Sequence, residues 1–400
     1  MKLSKLSQLI LVSSTGLLVA SLFTACQIVT VDYVFVASNS GSGGNGQIDV
    51  LASDSESGAL RTAVMSISSG GTDPVALAIT SDYQNLYAAN TSGSIVHFAI
   101  AATGTLSQKD VVTPGGTPVA IAVNAAGTYL FAVSTAPATL TVYPLSNGAL
   151  GTATASISLS LPLYPTDVIA PTAVTALANN DAVYVAAYDQ TVYNPGGSTT
   201  ATGANPGWIF GYTVGSAGAL TATPASPYLA GVKPSGIASD PTSRFVYATD
   251  YASNELIGYT IETNGTLNYL TNGPFKTGNE PSAIVVDPRA KYIYITNSLD
   301  NSVTAYEITL STGTPTAIAN ATGSQVNSTD TEPVALAVEP ALGRYVYTAN
   351  YLGNSVSGFR LNPNTGALTP TQATPYPTSS QPTAIIAIPH GNHAVETVAP

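Results

Sequence analysis

PSAIVVDPRAKYIY, residues 281–294, joins a proline, a short apolar run, an acid–proline turn and an aromatic run. The same phrase reads PVALAITSDYQNLY from Pro74, PSGIASDPTSRFVY from Pro234 and PVALAVEPALGRYVY from Pro333, and looser copies begin at Pro118, Pro171 and Pro382. The steps between these seven prolines are 44, 53, 63, 47, 52 and 49 residues. A period near 50 residues with strand-like content specifies one closed array of equivalent sheets rather than a string of separate domains.

Each repeat reads as four strands. The run after the proline is the first, and a turn such as Asp240-Pro241, Asp287-Pro288 or Glu339-Pro340 follows, with proline presetting the backbone and the acid placed to cap its amides. The second strand is aromatic and β-branched, as in Phe245 to Tyr247 and Tyr345 to Tyr347. A polar hairpin leads to a third strand, and Gly-x-Leu steps such as Gly148 to Leu150, Gly265 to Leu267 and Gly366 to Leu368 open the fourth. The chain begins with a second strand, Tyr33 to Ser38, whose first strand lies at the far end, Thr383 to Ile388. The expected fold is therefore an all-β, seven-bladed β-propeller of four-stranded antiparallel blades, closed by the N- and C-terminal strands in one blade. Closure of this kind removes free sheet edges. The tail Ala394 to Val398 is expected to add pairing there.

Composition bounds the setting. Charged residues are 8%, hydrophobic residues 44%, and there are 22 tyrosines, enough apolar surface for a core. The net charge of −11 argues against nucleic acid as a partner. Residues 1–25 read as a lipoprotein signal peptide: Lys2 and Lys5, then a short, broken apolar stretch. It ends in Leu22-Phe23-Thr24-Ala25-Cys26, which resembles a bacterial lipobox with Cys26, the single cysteine, as the lipidation site. Residues 26–31 would be the lipidated cysteine and a tether, and 32–400 the propeller. The expectation is an extracytoplasmic, monomeric envelope protein that meets the membrane through its lipid anchor only. Gln27, in place of an aspartate, favours the outer membrane.

In a propeller the loops before each first strand and after each second strand open on one face. The residues before the prolines, Asp73, Thr117, Ala170, Lys233, Glu280, Glu332 and Gln381, would ring its mouth. Asn90, Asp250, Asn297 and Asn350 end second strands, and Tyr188, Tyr251 and Tyr351 follow three such ends. Asp250, Glu280 and Glu332 are candidates for a general base or for holding Ca2+, and Lys233 for stabilising an oxyanion. Asp73, Asn90, Asn297, Asn350, Tyr251, Tyr351 and Trp208 are candidates to bind a ligand. Turn capping by the same residues is the alternative. In one blade the hairpin expands over 189–207 into an uncharged Gly/Pro/Thr-rich insertion before Trp208, the single tryptophan. It reads either as a partner-docking loop or as a tolerated insertion. His97 is expected to pack or sit at the surface, and His390 with His393 is too small a set for a closed metal site.

The phrases YITNSLDNSVTAYEI from Tyr294 and YTANYLGNSVSGFRLNPNTGAL from Tyr347 resemble the lactonase-type seven-bladed propellers, which include the propeller 6-phosphogluconolactonases, and the YVTN-repeat surface proteins. The resemblance implies a lactone or sugar-ester hydrolase, with histidine two residues after proline in some blades. Here those positions are Ala76, Ala120, Ala173, Gly236, Ala283, Ala335 and Ala384. The sequence therefore leads to a scaffold that binds a small sugar-like ligand or an envelope protein, with lactone hydrolysis by mouth carboxylates as the alternative.

Overall fold

A computed structural model describes residues 29–40, 44–191, 205–320 and 322–390. The leader, Cys26, the centre of the insertion, His393 and the tail after His390 lie outside them.

Seven antiparallel sheets form the ring. Their first strands are Pro382–Pro389 in blade 1, then Pro74–Ile79, Thr117–Val123, Ile169–Ala176, Pro234–Ser239, Pro281–Val286 and Pro333–Val338 in blades 2 to 7. Each first strand packs against that of the next blade, and the last returns to the first, so these strands line the axis. Blade 5 shows the pattern: Pro234–Ser239, Phe245–Asp250, Glu255–Ile261 and Leu267–Tyr269. In blades 3 to 7 the outer edge carries a further short strand, such as Phe275–Lys276, also paired with the third strand. The outer strand is thus broken rather than continuous in those blades.

The closing blade pairs Thr30–Ser38 with both Pro382–Pro389 and Gln47–Asp54. The closing strand begins at Thr30.

The second strands of blades 2, 5, 6 and 7 are buried along their whole length, because each face packs on a neighbouring blade. That burial explains their Tyr, Val and Ala content, and it obliges each phenol to find a partner. The partner is a glycine carbonyl in the turn before the next blade's outer strand. Tyr87 donates to Gly148 at 2.6 Å, Tyr184 to Gly265 at 2.8 Å, Tyr247 to Gly313 at 2.7 Å, Tyr294 to Gly366 at 2.9 Å and Tyr347 to Gly58 at 2.8 Å. These glycines sit at positive φ, between 67° and 83°, where a side chain would be strained. The residue after the proline makes a second seam bond in four blades: Thr172, Ser235, Ser282 and Thr383 donate to the next blade's proline carbonyl at 2.5 to 2.9 Å. The seam between blades 3 and 4, where Phe131 replaces the tyrosine, is filled instead by an apolar cluster including Val142, Leu159, Leu161 and Phe210.

The turns between first and second strands close the opposite face. Asp287 Oδ1 accepts the amides of Lys291 at 2.7 Å and Tyr292 at 2.8 Å, and Asp240 does the same for Arg244 and Phe245, both at 2.8 Å. Glu339 caps Leu342 and Arg344.

Candidate functional site at the mouth of the ring

The residue before each proline is placed by its neighbours. Glu280 and Glu332 have φ of 55° and 56°, a left-handed conformation that costs a non-glycine residue energy. Both are held there from two sides. Asn254 of blade 5 accepts the Glu280 amide at 2.8 Å, and Asn301 of blade 6 accepts the Glu332 amide at 2.7 Å. Their carbonyls accept the amides of Ser298 at 2.9 Å and Tyr351 at 2.7 Å, just past the second strands. Asp73 repeats the arrangement with φ of 46°, its carbonyl bound by the Thr91 amide, and its side chain is exposed.

Asp250 is fully buried. Its carboxylate accepts the amides of Val232 at 2.8 Å, Lys233 at 2.9 Å, Ala252 at 3.1 Å and Ser253 at 3.4 Å. These bonds shape the segment that presents Lys233, and they occupy both oxygens. The amides are likewise engaged within the protein. Asn90 bonds Ser69, Asn297 bonds Gly278, Ser302 and Thr304, and Asn350 bonds Thr348, Ser355 and Ser357. All three are fully buried.

What gathers at the opening is a set drawn from four consecutive blades. The Lys233 ammonium lies 4.6 Å from the Tyr251 ring centroid and 5.5 Å from that of Tyr188 in blade 4. Among the described residues no carboxylate lies within 4.0 Å of it, so its charge rests on two aromatic faces. The Tyr251 phenol interacts with Glu280 across the blade 5–6 seam. Hydrogen bonding toward Glu280, then partial burial, then the charges of Glu280 and Glu332 push the phenol up to about 12, so it stays a donor at neutral pH. Tyr351 stands half-buried on the blade 7 side.

Trp208 opens the third strand of blade 4, opposite Ala187 and Leu229, and packs against the blade 3–4 apolar cluster. Among the described residues its buried indole N–H has no acceptor. Tyr188 pairs directly with Gly207, so the strand ends that flank the insertion meet on the mouth side. His97 is a core residue, stacked on Tyr87 and bonded to Asp110 at 3.0 Å and Asn85 at 2.9 Å. Among the described residues no three His, Cys, Asp or Glu side chains converge as a metal set. The positioning amides Asn254 and Asn301 were missed in the sequence, although each stands in a hairpin four residues beyond a second-strand end.

The fold and the mouth define a seven-bladed β-propeller with a polar opening at its axis. The family model described as lactonase, 7-bladed beta-propeller matches residues 33–167 and 269–387, more than half the chain, and the chain belongs to that family. The unmatched stretch between holds Tyr188, Lys233 and Tyr251. No curated protein sequence matches the chain. Among solved structures, the periplasmic gluconolactonase of Pseudomonas aeruginosa is similar at 18% identity and a TM-score of 0.72, over 90% of this chain and 99% of that one. A Bacteroides fragilis protein provisionally described as a 6-phosphogluconolactonase gives 17% identity and a TM-score of 0.69, with 90% and 99% covered. The hydrazine synthase of Kuenenia stuttgartiensis gives 16% identity and 0.54, with 81% and 94% covered. Likeness at these identities is a likeness of fold.

Proposed function

We propose that the chain is an extracytoplasmic sugar-binding propeller whose ligand, an aldonolactone or the sugar acid it yields, sits at the mouth against Lys233, Tyr251, Glu280 and Glu332. The observation that carries this is the unneutralised Lys233 ammonium, held on two tyrosine faces beside a phenol donor and two carboxylates from the next two blades. A lactone carbonyl or a sugar carboxylate needs a fixed cation and a hydroxyl donor. Ring hydroxyls need acceptors, which the two glutamates supply. The protein would work in the envelope, held by Cys26.

Hydrolysis is the second reading, and the same array favours it. Glu280 or Glu332 would take a proton from water as it adds to the carbonyl carbon, and Lys233 and Tyr251 would donate to the developing oxyanion. Collapse would then expel the ring oxygen, which takes up a proton to give the open hydroxy acid. The test is a lactone panel with wild type and the Glu280→Gln, Glu332→Gln and Lys233→Met variants. Turnover that falls at least a hundredfold in a glutamate variant establishes hydrolysis. Binding without turnover leaves the scaffold reading. Neither binding nor turnover from folded protein rejects both.

A further inference from the structure

We propose that the face opposite the mouth rests on a phospholipid surface, with Arg344 and Arg360 taking lipid phosphates in a groove on blade 7. The groove, about 600 Å³, is lined by those two arginines with Asn320, Asn362, Thr365 and Thr369. Both arginines are exposed, and among the described residues neither guanidinium is within 4.0 Å of a carboxylate. Two unpaired guanidinium groups beside hydroxyl and amide donors suit a phosphate.

The position of the groove says which phosphate. Second strands run toward the mouth, so the chain enters blade 1 at Thr30 on the opposite face. The entry is tied to the groove's own blade: the Ser55 amide donates to the Val29 carbonyl at 2.9 Å, and the Tyr345 hydroxyl donates to the Ser55 carbonyl at 3.0 Å. Tyr345 is within electrostatic reach of Arg344 and Arg360, and Arg61 donates to Thr30 Oγ1 at 2.6 Å. From Cys26 to Thr30 an extended chain spans at most about 14 Å. An anchor at Cys26 therefore presses this face, and the groove beside the entry, toward the headgroups.

The basic side chains favour the same face. Of the nine lysines and arginines from Arg61 onward, six (Arg61, Arg244, Arg289, Lys291, Arg344 and Arg360) fall at strand ends of this face in blades 5, 6, 7 and 1. The mouth-side turns carry Asp73, Asp189, Glu280, Asp300, Asp330 and Glu332. Ten acids (Asp32, Asp54, Glu56, Asp82, Asp181, Asp240, Glu262, Asp287, Glu307 and Glu339) share this face, so attraction to anionic headgroups is local to the groove and the entry point and is not a property of the face as a whole. The mouth then points away from the membrane, open to soluble ligand.

The inference rests on Cys26 as the anchor, and the test separates the surface from the anchor. The chain from residue 27 onward, which retains every blade, is sedimented with phosphatidylglycerol-containing vesicles and with phosphatidylcholine vesicles at low ionic strength. The expected result is at least fivefold more protein on the anionic vesicles, lost as salt is raised to physiological strength and lost in the Arg344→Ser/Arg360→Ser double variant. Equal partition of wild type and variant, or no partition of wild type, overturns the proposal. Saturable binding of glycerol phosphate without vesicle partition also overturns it, in favour of a soluble phosphate ester. A matched melting temperature for the variant confirms that folding is unaffected.

Discussion

Glu280 and Asp250 are both acids beside the same opening, yet their surroundings assign them opposite tasks. Asp250 spends its charge on four backbone amides, two of them immediately before Pro234. Asp250→Ala leaves those donors buried and is expected to cost about 3 kcal/mol of stability, read by denaturant unfolding. Glu280 is half-buried beside Tyr251, on a backbone that Asn254 and Ser298 hold at positive φ. Glu280→Gln is expected to leave stability within about 0.5 kcal/mol and to weaken ligand binding about tenfold or more, since a hydrogen bond to a charged group contributes about 1.5–3 kcal/mol. The sequence pointed to both acids because Glu280 precedes a proline-opened strand and Asp250 ends a second strand, two positions that open on the same face. It had no means of separating them, because the difference is whether nearby amides are already satisfied, and that depends on how residues 230–233 fold back.

The tyrosine-to-glycine bond is the unit that converts one blade into the next. The sequence displayed both halves, the aromatic second strand and the Gly-x-Leu step, and from them the blade count, the strand order and the shared closing blade followed correctly. The bond itself was hidden, since its partners lie 61 to 81 residues apart in adjacent blades and 289 apart at closure. Tyr247→Phe strands the Gly313 carbonyl and is expected to cost about 1–3 kcal/mol, measured by unfolding. Phe131, with its seam filled by aliphatic side chains, shows how the chain manages without the bond. Burial pushes the phenols of Tyr87, Tyr184, Tyr247, Tyr294 and Tyr347 up from 10.0. Above pH 10 the unfolded chain therefore binds fewer protons than the native one, and stability falls as pH rises. Alkaline unfolding should begin above pH 10 and bring with it a further rise in tyrosinate absorbance beyond that of the exposed tyrosines, whereas full tyrosinate absorbance before loss of circular dichroism would contradict this burial.

Ring closure brings distant parts of the chain into one buried contact. Asp32, on the N-terminal closing strand, meets Glu339 of blade 7, and both are fully buried. Burial first, then the charge of Glu339, pushes the Asp32 carboxyl up to about 10, so the pair keeps a proton at neutral pH. The raised value means native protein holds a proton that the unfolded chain releases near pH 3.8, and the pair's contribution declines as pH rises from there toward 10. Asp32→Asn should therefore gain stability relative to wild type as pH goes from 5 to 9, followed by melting temperature, and a constant difference would reject the shared proton. No local pattern in the sequence pairs these residues, because one caps a turn and the other sits in a strand.

The central claim concerns the mouth, which the whole ring assembles from blades 4 to 7, and one calorimetric titration tests it directly. An aldonolactone and sugar-acid panel is titrated into wild type, Glu280→Gln, Lys233→Met and Glu307→Gln, the last on the opposite face. The account predicts saturable binding of at least one member, weakened about tenfold or more by the first two changes and untouched by the third. Binding unaffected by Glu280→Gln and Lys233→Met, or no binding by folded wild type across the panel, would contradict it.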